Sequence, residues 1–277
     1  LSEGSSNNAF VGGYIGYLAH SASTIGERIV VSVGTVSGTD VVGGFAGYIL
    51  ASVNPLAHQI INRVNNVDGS TAVGGFIGAG SISNNMKFFP SFEDAEINSV
   101  YIYNIVDQVH GDTNGGGFGG KIIDFVSHVY NKVNSIQGKN NVGGLVGTTS
   151  NSGNRIYTDV RNLIGTITGE SNVGGFIGSY SGTFSGANTQ ADFDSIVNQV
   201  DEIIATGNDV GGFIGSFNGL INASYIYNEI KKLSGNEFIG GFIGNIESIA
   251  TSADDPSKIS QSHSEVHDLS GTQFAGL

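Results

Sequence analysis

The sequence predicts an all-β chain wound as a right-handed-type β-helix (β-solenoid) of about eight coils of roughly 31 residues. Three observations carry this reading: a glycine block that recurs along the whole chain, a second block at a nearly constant distance before it, and a composition hostile to helices. The 44 glycines stand beside 3 prolines, 1 methionine, no tryptophan and no cysteine. Each glycine inside a helix would cost roughly 1 kcal/mol relative to alanine.

The glycine block runs Val11-Gly12-Gly13-Tyr14-Ile15-Gly16, then Val42-Gly43-Gly44-Phe45-Ala46-Gly47, then Val73-Gly74-Gly75-Phe76-Ile77-Gly78. A degenerate copy, Gly115-Gly116-Gly117-Phe118-Gly119-Gly120, follows, and further copies begin at Val142, Val173, Val210 and Ile239. The first glycines of these eight copies are spaced by 31, 31, 42, 27, 31, 37 and 29 residues. A period in this range is the signature of a stacked repeat architecture.

The second block reads asparagine, any, aliphatic, two of any, aliphatic, any, glycine. It occupies residues 62–69, 104–111, 131–138, 162–169 and 228–235, with variants at 31–38 and 264–271. The copy at 198–207 carries two extra residues. Both blocks are β-branched or aromatic and bounded by turn residues, so they read as short strands, two or three to a coil. A unit this small cannot bury its own apolar face and must stack on its neighbours. Eight coils at ~4.8 Å give a rod about 40 Å long.

In-register stacking places equivalent positions in columns. Tyr14, Phe45, Phe76, Phe118, Leu145, Phe176, Phe213 and Phe242 form the expected structural ladder. Before it stand the repeat glycines Gly12, Gly13, Gly43, Gly44, Gly74, Gly75, Gly143, Gly144, Gly174, Gly175, Gly211, Gly212, Gly240 and Gly241. They either supply positive φ at a corner or a bulge, or let another segment approach closely. Strict alternation puts the valine and the phenylalanine on opposite faces, whereas a bulge at the glycine pair turns both inward; the sequence is compatible with either. Asn62, Asn104, Asn131, Asn162 and Asn228 form a second column, bonding turn backbone or the amide above, or lie exposed in turns.

The chain reads as a single solenoid domain, residues 1–277, with longer loop insertions near 79–99, 179–195 and 245–260. In the first of these, Met86, Phe88, Phe89 and Phe92 make a candidate contact loop. The last residues run into a ninth glycine block and stop within it, and the first twelve resemble that same stretch. The expectation is a segment cut mid-repeat at both ends, continued in a longer chain or self-associating end to end.

The recurring block resembles the so-called GLUG repeat, the copy at residues 142–147 being nearest its usual form. The resemblance spans nearly the whole chain, although the copy at 115–120 lacks both aliphatics. It implies a scaffold of large secreted or surface-anchored bacterial proteins, including adhesin-like proteins and the non-catalytic regions of some immunoglobulin A metallopeptidases. It supplies no functional residue.

Chemical motifs were sought and fall short. His263 and His267 have the spacing of a helical zinc motif, but Glu265 is one place late and the stretch reads as strand. The glycines and Lys121 of residues 115–121 imitate a phosphate loop, yet Ile122 replaces the magnesium-holding hydroxyl, and Lys121 stands where a calcium-binding β-roll needs aspartate. The acidic groups Glu93, Asp94, Glu96; Asp192, Asp194; and Asp254, Asp255 all lie in the insertions. A net charge of −13 opposes nucleic acid and anionic lipid. No run approaches the ~20 apolar residues of a membrane helix. The expected function is a non-catalytic structural or adhesive rod of an extracellular bacterial surface protein or filament, without cofactor, touching a host-surface or glycan ligand. The alternative is a polysaccharide-acting lyase or hydrolase using the loop carboxylates.

Overall fold

A computed structural model describes residues 9–18, 26–49, 57–80, 102–122, 126–149, 154–185, 196–249, 258–271 and 275–276. These form a parallel β-solenoid of about eight coils with no helix. Each coil contributes to three sheets. A narrow sheet of nine short strands begins with Phe10–Gly12 and continues through Val41–Gly43 and Ala72–Gly74 to Ala275–Gly276. A middle sheet follows one corner later, in strands such as Ala46–Ile49, Ile77–Gly80 and Val146–Thr149. The wide sheet holds the longest strands, among them Ala57–Gly69, Val126–Gly138 and Ile226–Gly235.

Pairing between coils is parallel and in register: Val42 pairs with Val73, Asn131 with Asn162, and Ile136 with Ile167. Coils of unequal length keep this register because their extra residues fall between the strands, apart from one bulge where Phe217 faces Ile246 and Asn218 faces Ser248. In the coil of Asn198 the block glycine is displaced by two places but only one residue is surplus: Asn198 pairs with both Asn162 and Asn228, Ala205 with Gly169 and Val210 with Val173, so the extra residue falls after Ala205. Stretches expected as loop insertions are partly strand. Residues 179–185 belong to Ile177–Ser185, which turns Tyr180 and Phe184 into the interior, and 245–249 and 258–260 also pair with Ile214–Ser224. Alternation of small polar and aromatic residues at 179–185 is a strand pattern that the turn-rich composition disguised.

The glycine pair makes the corner between narrow and middle sheets. A methyl group on Gly43 would overlap the carbonyl oxygen of Ala46 in the same coil. One on Gly44 would overlap the carbonyl oxygen of Gly75 in the next coil and lie 3.0 Å from Asn62 Nδ2. Left-handed glycine φ values occur only at Gly80, Gly182 and Gly219 among the described residues, so the pair serves close approach, not positive φ.

Valine and phenylalanine both turn inward, into different cores. Phe45, Phe76, Phe118 and Phe176 pack with Ile60, Ile102 and Ile196 in one. Val42, Val73 and Val142 pack with Val64, Val67 and Ile136 in the other. Within the first, Phe45, Phe76 and Phe118 stack with centroids 4.7 and 4.9 Å apart, and Phe176, Phe213 and Phe242 with centroids 4.6 and 4.8 Å apart. Leu145 is fully buried between the two runs, and Tyr14, half exposed, stacks on Phe45 at 5.3 Å. Phe176 also meets Tyr157 edge-on at 5.6 Å. Phe176→Ala is expected to cost ~3–5 kcal/mol in equilibrium unfolding, as for deletion of a buried ring; a loss under about half a kilocalorie would show that the column bears no load.

Candidate functional site

The least expendable polar groups lie inside the rod. Asn62, Asn104, Asn131, Asn162, Asn198 and Asn228 are fully buried, and they separate the two cores because each follows an aromatic-core residue and precedes a valine-core one, as Ile60, Asn62 and Val64 do. Each amide nitrogen donates twice. One bond, of 2.7–2.8 Å, goes to Oδ1 of the next asparagine, linking 62 to 104, 131, 162, 198 and 228 in turn. The other goes to the second glycine of the same coil's pair: Asn62 to Gly75 O at 2.8 Å, Asn162 to Gly175 O at 3.0 Å, Asn228 to Gly241 O at 3.2 Å.

That carbonyl needs a side-chain donor because the corner backbone skips it. Gly44 N donates to Gly74 O, and the amides of Phe45 and Ala46 both donate to Phe76 O, leaving Gly75 O to Asn62. The ladder ends on Ser264 Oγ, 3.0 Å from Asn228, and at the other side on Val31, which leaves Asn62 Oδ1 buried without a partner.

A second amide column runs outside the narrow sheet. Asn141 donates to Asn114 Oδ1 at 2.9 Å and Asn172 to Asn141 Oδ1 at 2.8 Å. Asn141, Asn172 and Asp209 all take left-handed backbone, a conformation Asn and Asp tolerate. The next rung is Asp209, whose carboxyl is held above the usual range by burial first, with the nearby Glu247 charge adding and the Asn245 hydrogen bond opposing. A raised folded pKa means that the stabilising contribution is complete below the unfolded value of ~3.9 and lost as pH rises through the folded value. Ionised Asp209 therefore weakens the fold at neutral pH. Asp209→Asn, which supplies an amide toward Asn172 Oδ1, is expected to raise unfolding stability by about 0.5–1.5 kcal/mol near neutrality, with the gain shrinking in acid. Denaturant titrations at both pH values measure this, and a gain constant with pH would contradict it.

Exposed ion pairs bridge neighbouring coils: Lys139 to Asp112 at 2.8 Å, Lys231 to Asp201 at 2.6 Å and Lys232 to Glu202 at 2.6 Å. The hydrogen bond and charge of Lys139 lower the Asp112 carboxyl below its ordinary value. Such exposed pairs favour correct register over slipped alternatives more than they add stability.

His263, Glu265 and His267 share the outer face of strand His263–Gly271 because alternate strand residues point the same way. His267 Nε2 lies 3.7 Å from both Glu229 Oε1 and Glu265 Oε1, and His263 Nε2 lies 3.4 Å from Glu265 Oε2. No group of His, Asp or Glu among the described residues is disposed to hold a metal ion. Lys121 is exposed within the middle-sheet strand Gly119–Ile122, where it pairs with Ala79 and Thr148. Met86, Phe88, Phe89 and Phe92, and the carboxylates Glu93, Asp94, Glu96, Asp192, Asp194, Asp254 and Asp255, lie outside the described residues. Sequence reasoning did not single out Asn198, the outer amide column, or the buried Tyr157, Tyr180, Phe184 and Phe217.

No protein-family model, no curated protein and no solved structure matches the chain. No helix among the described residues is long and apolar enough to cross a membrane.

Proposed function

We propose that this chain is a non-catalytic structural and adhesive rod of an extracellular bacterial surface protein or filament. One observation carries the reading: the interior repeats from coil to coil while the outer face of the wide sheet does not. The same amide occupies six successive rungs and a large apolar ring nearly every rung beside it. The outward neighbours of that amide column run Arg63, Ile105, Lys132, Leu163, Gln199, Glu229 and Glu265 without pattern. Repetition is thus confined to what stacks the coils, and the outer face of the wide sheet varies freely, as display on a fixed support requires.

The resemblance to the GLUG repeat supports the extracellular placement, and the charge of −13 argues against nucleic acid as partner. Continuation in a longer chain or end-to-end association would lengthen the rod, and a host-surface or glycan ligand would be met by its sides. Immunogold labelling of the parent protein on its producing cells tests this reading. Label beyond the cell boundary is expected, and label confined to the cytoplasm would overturn it. Turnover of glycans by the purified chain would replace it with the enzymatic alternative.

A further inference from the structure

The wide sheet is not flat. Each of its strands turns two consecutive residues outward between two inward ones, as Asn65 and Asn66 stand between the buried Val64 and Val67. Just before that bend one inward residue (Val133, Ile164, Val200) stands between two outward ones, and stacked in register these positions form a groove parallel to the rod axis. Over coils four to seven it offers about 290 Å³, lined by Lys132, Leu163, Gln199, Asp201, Glu229 and Lys231.

The lining is mixed in a particular way. Two positive and two negative side chains balance one another, in a chain that is otherwise strongly acidic. Gln199 Nε2 and the Tyr227 hydroxyl both donate to Glu229 Oε2, at 2.9 and 3.1 Å, fixing that carboxylate and holding it ionised below its ordinary range. Lys231 is fixed on Asp201 in the same way. His267 stands at the far end, 3.7 Å from Glu229. One column over on the same face lie Tyr130 and Tyr227, with Arg161 and Val197 between them in the stack.

We infer that this groove binds a single extended, uncharged oligosaccharide along the rod axis. Sugar hydroxyls both donate and accept, so each can use the carboxylates, ammonium groups and amide that the groove alternates. Leu163 and the tyrosine rings offer apolar surface for the C–H faces of sugar rings. A polyanion would meet Asp201 and Glu229. An extended peptide would find no unpaired backbone on the face of a fully laddered sheet, whereas peptide strands dock at sheet edges. The inference deepens the adhesive part of the rod reading by giving one face a ligand class.

The test is retention of the purified full chain on an array of neutral oligosaccharides, beside polygalacturonate and extended peptides. At least one neutral oligosaccharide is expected to bind. Leu163→Arg, which fills the groove, and Gln199→Ala, which removes an amide and one of the two donors that fix Glu229, are each expected to weaken it by at least about tenfold. Asn140→Arg, exposed on another face, is expected to leave it unchanged. Thermal unfolding establishes that each variant is folded, and Gln199→Ala decides if Leu163→Arg is not. Binding of no neutral oligosaccharide, of polygalacturonate or peptide only, or equally to the folded groove variants would overturn the inference. Binding at the groove by a protein labelled inside the cell would sink the rod reading alone.

Discussion

Asn162→Asp is expected to destabilise the chain by more than about 5 kcal/mol at neutral pH, although it changes one side-chain nitrogen to oxygen. Asn162 is fully buried, donates to Gly175 O at 3.0 Å and to Asn198 Oδ1 at 2.7 Å, and accepts from Asn131. Aspartate keeps the accepting role and loses both donations, so two buried acceptors are orphaned and a carboxylate oxygen faces Asn198 Oδ1. Each orphaned acceptor costs about 1–3 kcal/mol, and the desolvated charge adds several more. The carboxyl escapes part of this by staying protonated, which raises its folded pKa above the unfolded ~3.9. A raised acid pKa makes the relative stability of the variant recover as pH falls through the folded value. Urea titrations at neutral and acid pH check both halves. A loss below about 1 kcal/mol at neutrality would mean that water reaches the column.

Gly175→Ala is expected to cost on the order of 5 kcal/mol, or to prevent folding. The added methyl would overlap the carbonyl oxygen of Gly212 and sit 2.9 Å from Asn198 Nδ2. Neither neighbour can yield cheaply: the carbonyl is backbone of the next coil, and the amide is bonded to Gly212 O and Asn228. Coil spacing and amide ladder thus require the same glycine. Gly34→Ala provides the contrast, because a methyl there meets nothing within 4 Å. It should be neutral or gain up to ~1 kcal/mol through the unfolded state. Equal losses at the two positions in chemical unfolding would remove the close-approach explanation.

Much of the fold was legible because β-stacking translates period into position. The asparagine block already contains the inside and outside of the wide strand: asparagine in, one residue out, aliphatic in, two out, aliphatic in. The glycine pair was legible as a special backbone position but not as a corner made by close approach, since a corner, a bulge and a close approach call for the same residue. Residues 179–185 were misjudged because serine, glycine and threonine look like loop until Tyr180 and Phe184 are seen to alternate with them. The groove could not be read at all. Lys132, Gln199 and Glu229 lie 30 or more residues apart and share no motif, and they come to line one groove only once four coils are laid in register.

The central claim, a continuous internal amide ladder, is tested most directly by NMR of the asparagine side chains in the intact chain. The account predicts that the Nδ2 protons of Asn104, Asn131 and Asn162 exchange with solvent far more slowly than those of exposed Asn65 and Asn140. It also predicts a nuclear Overhauser contact from each buried amide to the next along the column. Exchange as fast as at Asn65, with no contact between Asn162 and Asn198, would contradict it.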